Sequence, residues 1–238
     1  MSLAAENRLF ASAARPFSRV GIGPWVFARL KFRIDPVYRE ILKQGILPSS
    51  GRIIDLGCGQ ALTLSAIRSA QRLYQKRDFP QGWQPPPSDV ELCGFDINAK
   101  QVSIAQKALS DEAQIHTADL RNLELPPCRA VVILDTLHYL EPHEQESLLE
   151  KMGQAIENGG TIVVREADAN GGRGFAAVRH SETLRARLRG QWRQRFHYRS
   201  AEDWARRIAK LGFETRIQDM GARTPFRNVL VHGVRSSS

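Results

Sequence analysis

The segment Arg52–Ala61, RIIDLGCGQA, is a short apolar run that ends in a glycine-rich turn. Its isoleucines and leucine are the continuous apolar side chains expected of a strand buried on both faces. Gly57 and Gly59 allow the backbone to turn sharply and to approach a ligand closely. Residues 63–77 follow with apolar side chains at helical spacing. The order of strand, glycine turn and helix predicts a nucleotide-binding α/β fold.

Two positions depart from the dinucleotide-binding pattern GxGxxG. Leu62 occupies the place of the third glycine, and the acidic Asp55 precedes the loop. A carboxylate there would repel a diphosphate but would suit a ligand that carries positive charge. A nicotinamide dehydrogenase is therefore disfavoured. Considered alone, the stretch also fits a tight strand-to-helix turn with no ligand.

Acids also follow the next three predicted strands, which span residues 90–95, 113–117 and 130–134; these acids are Asp96, Asp119 and Asp135. The carboxyl ends of such strands are expected to line one crevice. An acid in the place of Asp96 accepts hydrogen bonds from both ribose hydroxyls, although a helix-starting acid favoured by the helix dipole is the alternative. Asp96 lies farther from the loop than the usual distance of about 20 residues. The proline-rich insertion 78–89, expected to be exposed, accounts for the excess.

The four acids, the motif DLGCGQA, the run ENGGTIVV and the late strand pair together resemble the class I S-adenosylmethionine-dependent methyltransferases. The resemblance covers about Ile46 to Val234. It implies an α/β, Rossmann-like, doubly wound and mostly parallel seven-stranded sheet with an antiparallel last strand. We expect a methyltransferase domain at 46–238 after an N-terminal helical extension at 1–45.

The resemblance also implies the cofactor, S-adenosyl-L-methionine, and the residues that bind it. Asp96 would hold the ribose, Asp119 would accept from the adenine amino group, and Leu120 would pack near the ring. No metal site is predicted. The predicted cofactor-binding residues are Asp55, Gly57, Cys58, Gly59, Asp96, Ile97, Asp119, Leu120 and Asp135.

More narrowly, the run ILDTLHYL, Arg165 with Asp168, and the late TPF are similar to methyltransferases of aryl polyene or xanthomonadin-type pigment biosynthesis. That similarity implies a place in secondary metabolism. It also implies a set of acceptor-binding residues: His138, Tyr139, Arg165, Asp168, Thr224 and Phe226.

The loop after the fourth predicted strand, DTLHY, indicates the class of acceptor. Methyltransferases that act on nucleic-acid amino groups typically carry Pro-Pro-aromatic there, so base N-methylation is disfavoured. Methylation of oxygen or carbon of a small, aromatic or carrier-protein-bound acceptor remains. His138 is the candidate general base because imidazole titrates near neutral pH. A structural histidine is the alternative.

The net charge of +9 is concentrated in one segment, residues 173–207, which carries +7 through ten arginines. This points to an anionic partner: a carrier protein, a nucleic acid or a lipid surface. A solvated helix face explains the same charges without a partner. A non-catalytic partner subunit with the same fold is the competing class of protein.

The extension 1–45 is predicted to form helical pieces broken at Pro16, 21–24 and Pro36. It could lie on a membrane surface, but we expect a lid because its aromatic residues lack a sustained amphipathic stripe. The cysteines lack CxxC spacing, which indicates a reducing compartment. The longest apolar stretch is too short to cross a bilayer and no signal-peptide core is evident, so we expect a cytoplasmic protein.

Overall fold

The computed structural model describes residues 2–170, 195–220 and 228–236. Within them seven strands form one sheet in the order β3-β2-β1-β4-β5-β7-β6. β7 runs antiparallel to both of its neighbours, β5 and β6. The predicted Rossmann-like, mostly parallel sheet with an antiparallel last strand is therefore confirmed. The strands are β1 (Ser50–Leu56), β2 (Asp89–Asp96), β3 (Gln114–Thr117), β4 (Cys128–Leu134), β5 (Ile156–Ala167), β6 (Phe213–Asp219) and β7 (Asn228–Arg235).

The α-helices of the described residues fall before, between and after these strands. They are α1 (Ser2–Ala14), α2 (Ile22–Ile34), α3 (Val37–Gln44), α4 (Leu62–Gln75), α5 (Ala99–Leu109), α6 (Pro142–Ala155) and α7 (Ala201–Lys210). Short 3₁₀ helices lie at Arg15–Arg19, Ser110–Glu112 and Leu137–Tyr139. The sequence also predicts a helix at 176–189, which lies outside the described residues.

The chain divides into two compact units. The first unit contains residues up to Leu123 together with Pro127–Val131, and the second contains Glu124–Pro126 and the residues from Val132 onward. The N-terminal helices therefore belong to the same unit as β1, β2 and β3.

In the first unit, α1 packs directly on α4. Leu9 and Ala13 are fully buried, and two serines of α4 bond to their carbonyl groups. The Ser65 hydroxyl donates to the Ala13 carbonyl at 2.7 Å, and the Ser69 hydroxyl donates to the Leu9 carbonyl at 3.1 Å. These buried side-chain hydrogen bonds fix α1 on the helix that follows the glycine turn.

The proline-rich insertion is only partly exposed, contrary to the prediction. Pro86 and Pro87 are buried. The Trp83 ring lies 6.5 Å from the Phe10 ring of α1 and 5.9 Å from the Phe79 ring, between centroids. Aromatic packing thus anchors the insertion to the extension.

The extension carries an exposed apolar stripe that the sequence analysis did not single out. α2 buries Ala28 and Phe32 on one face and leaves a row of large apolar side chains exposed on another. The stripe escaped notice because it is mainly aliphatic. Its members are Ile22, Val26, Phe27, Leu30 and Ile34.

In the second unit, two arginines, one just before α7 and one in its last turn, bind acids of α6 and α7. Arg199 contacts Glu146 at 3.0 Å and Asp203 at 3.1 Å. Arg207 pairs with the same two acids, contacting Asp203 at 2.9 Å. These described arginines of the 173–207 segment therefore have a structural role. The others between 173 and 193 lie outside the described residues.

Candidate functional site

Every second residue of the glycine turn after β1 has a left-handed backbone conformation. Gly57, Gly59 and Ala61 have φ of 67°, 54° and 57°. The left-handed conformation costs a non-glycine residue about 1–2 kcal/mol, so Ala61 stores strain directly before α4. The amides of Gly57 and Cys58 donate to the Phe95 carbonyl at 2.8 and 3.0 Å. The loop is thus held against the carboxyl end of β2.

Asp96 joins the ends of three parallel strands. Its Oδ2 accepts from the Gly59 amide at 2.8 Å, and its Oδ1 accepts from the Asn98 amide at 2.7 Å. Its carbonyl accepts from the Ala118 amide, after β3, at 3.0 Å. Each carboxylate oxygen has a second acceptor position. The half-buried carboxylate can therefore hold the loop and still accept from a diol.

Asp55 lies on β1, with its carboxyl almost fully buried. Burial raises its pKa to about 7, the hydrogen bond with Thr63 opposes that rise, and the charge of Asp96 adds to it. Since burial disfavours the charged form, a cationic ligand nearby would restore the carboxylate. Asp55 therefore lies directly before the loop, as predicted, but its side chain is buried within the first unit.

The Cys58 side chain packs on the bare backbone of β2. A side chain on Gly94 would have its Cβ 3.0 Å from the Cys58 Sγ and 3.0 Å from the Ile115 Cδ1. Burial raises the pKa of the Cys58 thiol far above its usual range, and the charges of Asp55 and Asp96 add to the rise. Cys58 is thus a neutral packing residue that shapes the loop.

The predicted adenine-side residues differ in their surroundings. Ile97 is 63% exposed directly after β2, whereas Leu120 is buried. The Asp119 carboxylate binds the Arg121 guanidinium, with an Nε–Oδ1 distance of 2.9 Å, and this hydrogen bond lowers the pKa of Asp119. Asp119 therefore enters any adenine contact as an ion pair with Arg121.

Gln60, within the loop, is a polar residue that the sequence analysis did not single out. Its side chain is 8% exposed, and its Oε1 has no hydrogen-bond partner among the described residues. A buried amide oxygen is costly unless a donor meets it. An N–H donor such as an ammonium group fits this oxygen. The loop sequence could have suggested Gln60, since the only other loop residue with a hydrogen-bonding side chain is Cys58, whose thiol is a weak donor.

In the second unit, His138 forms a buried pair with Glu166. The His138 side chain is 4% exposed, and its Nδ1 lies 2.6 Å from the Glu166 Oε2. The other oxygen, Oε1, accepts from the amides of Thr136 at 2.9 Å and Leu137 at 2.6 Å. We assign the ring proton to Nδ1 because a carboxylate that holds two amides acts as an acceptor. Nε2 is then the basic nitrogen.

Aromatic rings surround this pair. The His138 ring stacks on Tyr198 at 5.0 Å and lies 4.3 Å from Tyr139 and 5.8 Å from Phe196, between centroids. The His197 amide donates to the His138 carbonyl at 2.8 Å. The stretch that follows residue 194 is thus built into the surroundings of the imidazole.

The fully buried Gln145 of α6 fixes the same loop. Its Nε2 donates to the carbonyls of Leu137 at 3.0 Å and His197 at 2.8 Å. Its Oε1 accepts from the Arg199 Nε at 2.6 Å. One amide side chain therefore ties the two segments around His138 together.

The remaining predicted residues of this unit make contacts within the protein. Asp135 has a φ of 52° and pairs with the buried Arg165, whose carbonyl accepts from the Asp135 amide at 2.9 Å. Asp168 accepts from the amides of Asn170 at 3.0 Å and Ala201 at 3.3 Å, so it helps to begin α7. Predicted residues Thr224 and Phe226 lie outside the described residues.

Glu166 is the main functional candidate that the sequence analysis missed. It ends the apolar run of β5 and stands 28 positions from His138, so its partner is set by tertiary structure. The signal was in its own segment, where Arg165 and Glu166 near the end of β5 and Asp168 just after it follow four apolar or small residues. A charged residue at the end of a buried strand requires a partner.

No described helix has the length and apolar character to cross a bilayer. Among the described residues, no group of three or more His, Cys, Asp and Glu side chains is arranged to hold a metal ion.

A family model described as "Methyltransferase domain" matches residues 29–217, most of the chain. The chain belongs to this methyltransferase family. The class I S-adenosylmethionine-dependent methyltransferase predicted from the motifs is therefore confirmed at the level of the family. The match begins inside α2, so it includes part of the N-terminal extension.

Curated relatives share a quarter to a third of the aligned residues. The carboxy-S-adenosyl-L-methionine synthase of Chromohalobacter salexigens is 28% identical over 119 residues, which are 48% of this chain and 39% of that protein. Its namesake from Photobacterium profundum is 28% identical over 184 residues, 70% and 68% of the two chains. The chain spans less than half the length of the first relative.

Solved methyltransferases share the fold. An O-methyltransferase family protein from Burkholderia thailandensis has a TM-score of 0.63 at 18% identity, over 88% of this chain and 57% of that chain. The magnesium protoporphyrin IX methyltransferase of Synechocystis PCC 6803, with bound S-adenosylhomocysteine, has a TM-score of 0.58 at 20% identity, over 87% and 85%.

Proposed function

We propose that this methyltransferase transfers the methyl group of S-adenosylmethionine to oxygen or carbon of a small acceptor, with His138 as the general base. The observation that carries the proposal is the buried His138–Glu166 pair, which fixes one imidazole nitrogen and makes the other basic. A base oriented by a third group is the arrangement of general acid–base catalysis.

The first unit fits the cofactor by charge and by hydrogen bonding. The buried Oε1 of Gln60 suits the cofactor ammonium, and Asp55 supplies negative charge beside the loop. Asp96 has acceptor capacity left for the ribose hydroxyls, and the exposed Ile97 offers an apolar surface for adenine. When bound, S-adenosylmethionine supplies an electrophilic methyl group on a sulfonium.

The second unit would supply the base. The His138 Nε2 would take the proton of an acceptor hydroxyl, and Glu166 would stabilise the resulting imidazolium through Nδ1–H. The two backbone amides on Glu166 Oε1 keep that carboxylate in position. The aromatic rings around His138 favour a planar, aromatic acceptor.

The test compares His138→Ala with the exposed control His143→Ala on α6. Loss of a general base should lower kcat by about 100-fold or more while S-adenosylhomocysteine affinity stays the same. Glu166→Gln should also lower kcat, because it removes the charge that stabilises the imidazolium. Equal loss of turnover and cofactor binding in His138→Ala, with normal behaviour of His143→Ala, would identify His138 as structural.

The names of the curated relatives raise a second candidate, synthesis of carboxy-S-adenosylmethionine. In that case S-adenosylmethionine would be the substrate and its carboxylated form the product. Mass spectrometry of the nucleoside extracted from the purified protein and from reaction mixtures separates the two. A carboxylated nucleoside would favour synthesis, and S-adenosylhomocysteine with a methylated acceptor would favour methyl transfer.

A carrier-protein-bound acceptor remains part of the proposal, supported by the basic 173–207 segment. Charges at the rim of a protein interface act mainly on the rate at which the two proteins meet, and that rate falls as the salt concentration rises. Reversal of Arg185, Arg187 and Arg189 to glutamate should slow turnover of a carrier-bound acceptor more than that of a free one. A pigment-type pathway is the corresponding narrower proposal. Binding to duplex DNA or RNA with a steep salt dependence would instead favour nucleic acid as the partner of this segment.

A further inference from the structure

The stripe of α2 is a row of exposed apolar side chains that the proposed function does not use. Of the eleven large apolar side chains exposed among the described residues, five lie on this helix of 13 residues. Ile22 is 80% exposed, Leu30 50% and Phe27 47%. A contiguous apolar surface of this kind marks an interaction site more often than scattered single residues do.

Helical spacing places these side chains on one face. At 3.6 residues per turn, Ile22, Val26 and Leu30 are successive turns of one ridge, and Phe27 and Ile34 border it, within an arc of about 140°. The opposite face is anchored inside the first unit. There Phe32 packs on the Phe10 ring at 5.4 Å and on the Tyr38 ring at 5.0 Å, between centroids.

The charge around the stripe has a single sign. Between Glu6 and Asp35 the sequence has six basic residues and no acid. Arg29 and Arg33 are exposed on α2 beside Ile22 and Val26, and Arg15 and Arg19 are exposed on the preceding 3₁₀ helix. The Arg29 guanidinium lies 5.0 Å from the centre of the Trp25 ring. An apolar face with a cationic flank is complementary to an anionic, apolar surface.

We infer that α2 binds the surface of a bilayer that carries anionic lipid. The aliphatic stripe enters the boundary between headgroups and acyl chains, and the flanking arginines meet lipid phosphates. A second copy of the chain fits less well. A twofold contact through the stripe would bring the arginines of both copies together, and α2 has no acid to compensate them. This inference goes beyond the proposed function and does not depend on it.

The experiment is co-sedimentation of the whole chain with phosphatidylcholine vesicles that contain or lack phosphatidylglycerol. The double substitution Phe27→Asp with Leu30→Asp places charge on the stripe, and both positions are exposed, so folding should persist. Ile217→Asp, at a residue 46% exposed on β6, is the matched control. Thermal unfolding verifies that each variant is folded.

We expect the wild-type protein and Ile217→Asp to bind anionic vesicles, with less binding at high salt. The stripe variant should bind at least about tenfold more weakly, since each lost side chain contributes more than 1 kcal/mol when buried. Arg29→Gln with Arg33→Gln should also lose about tenfold or more, because each arginine near an anionic surface contributes about 1 kcal/mol.

Three outcomes would overturn the inference. One is the absence of wild-type binding to anionic vesicles. Another is equal binding by the wild type and the stripe variant, which would assign vesicle binding to other cations such as those of the 173–207 segment. The third is a wild-type dimer that becomes monomeric in the stripe variant without any change in vesicle binding, since that would assign the stripe to a second copy.

Discussion

Replacement of Asp96 by alanine perturbs the proposed cofactor-binding residues where the glycine loop meets the end of β2. The carboxylate accepts from the Gly59 and Asn98 amides, and we propose that its remaining acceptor positions bind the ribose hydroxyls. Asp96→Ala should thus remove the proposed ribose contact and the bond to the Gly59 amide, while the Gly57 and Cys58 amides still bind the Phe95 carbonyl.

The size of the effect follows from these bonds. Hydrogen bonds to a charged group contribute about 1.5–3 kcal/mol each, so loss of two ribose bonds should weaken binding by about 100-fold or more. The loss of the Gly59 and Asn98 contacts should also lower the free energy of unfolding by about 1–3 kcal/mol. The two effects are measured separately.

Calorimetric titration with S-adenosylmethionine and S-adenosylhomocysteine gives the affinities, and denaturant unfolding gives the stability. Asp89→Ala, at the exposed opposite end of β2, is the control and should leave both affinities unchanged. A folded Asp96→Ala protein that binds both nucleosides as tightly as the wild type would refute the ribose assignment.

Two further predictions concern the same unit. Because burial raises the pKa of Asp55 to about 7, the folded state keeps a proton that the unfolded chain releases above pH ~4. The free energy of unfolding of the cofactor-free protein should therefore fall by up to roughly 4 kcal/mol as pH rises from ~4 past ~7. Denaturant unfolding at several pH values should show that fall, and Asp55→Asn should largely abolish it; an equal fall in the variant would assign it to other groups. Gly94→Ala should push the Cys58 and Ile115 side chains apart and cost about 1–3 kcal/mol. Unchanged stability and cofactor affinity would mean that the loop shifts freely.

The sheet could be predicted because its strands are short apolar runs that end in recognisable residues. Residues 53–56 and 130–134 were placed correctly, since a strand buried on both faces is continuously apolar. The sequence predicts a helix from Pro142 to Glu157, but α6 ends at Ala155 and β5 starts at once, so Gly159 and Gly160 lie inside the strand. Glycines there resembled a helix end.

The candidate site was predictable only where neighbouring residues in the sequence create it. Asp96 and the glycine loop are positioned by parallel strand ends, a feature that the sequence order implies. Glu166 reaches His138 from a strand 28 residues away, and sequence spacing cannot reveal such a pair. The stripe on α2 is present in the sequence as apolar residues at i, i+4 and i+8, but most of its members are aliphatic, so the pattern of aromatic residues does not reveal it.

The most direct test of methyl transfer follows the methyl group itself. The protein is incubated with methyl-labelled S-adenosylmethionine and a panel of phenolic and other aromatic acids, free and as carrier thioesters. The account predicts label on an oxygen or carbon of one acceptor, with equal formation of S-adenosylhomocysteine and strong loss in His138→Ala. Tight cofactor binding without label in any acceptor, or label on a nucleic-acid amino group, would contradict it.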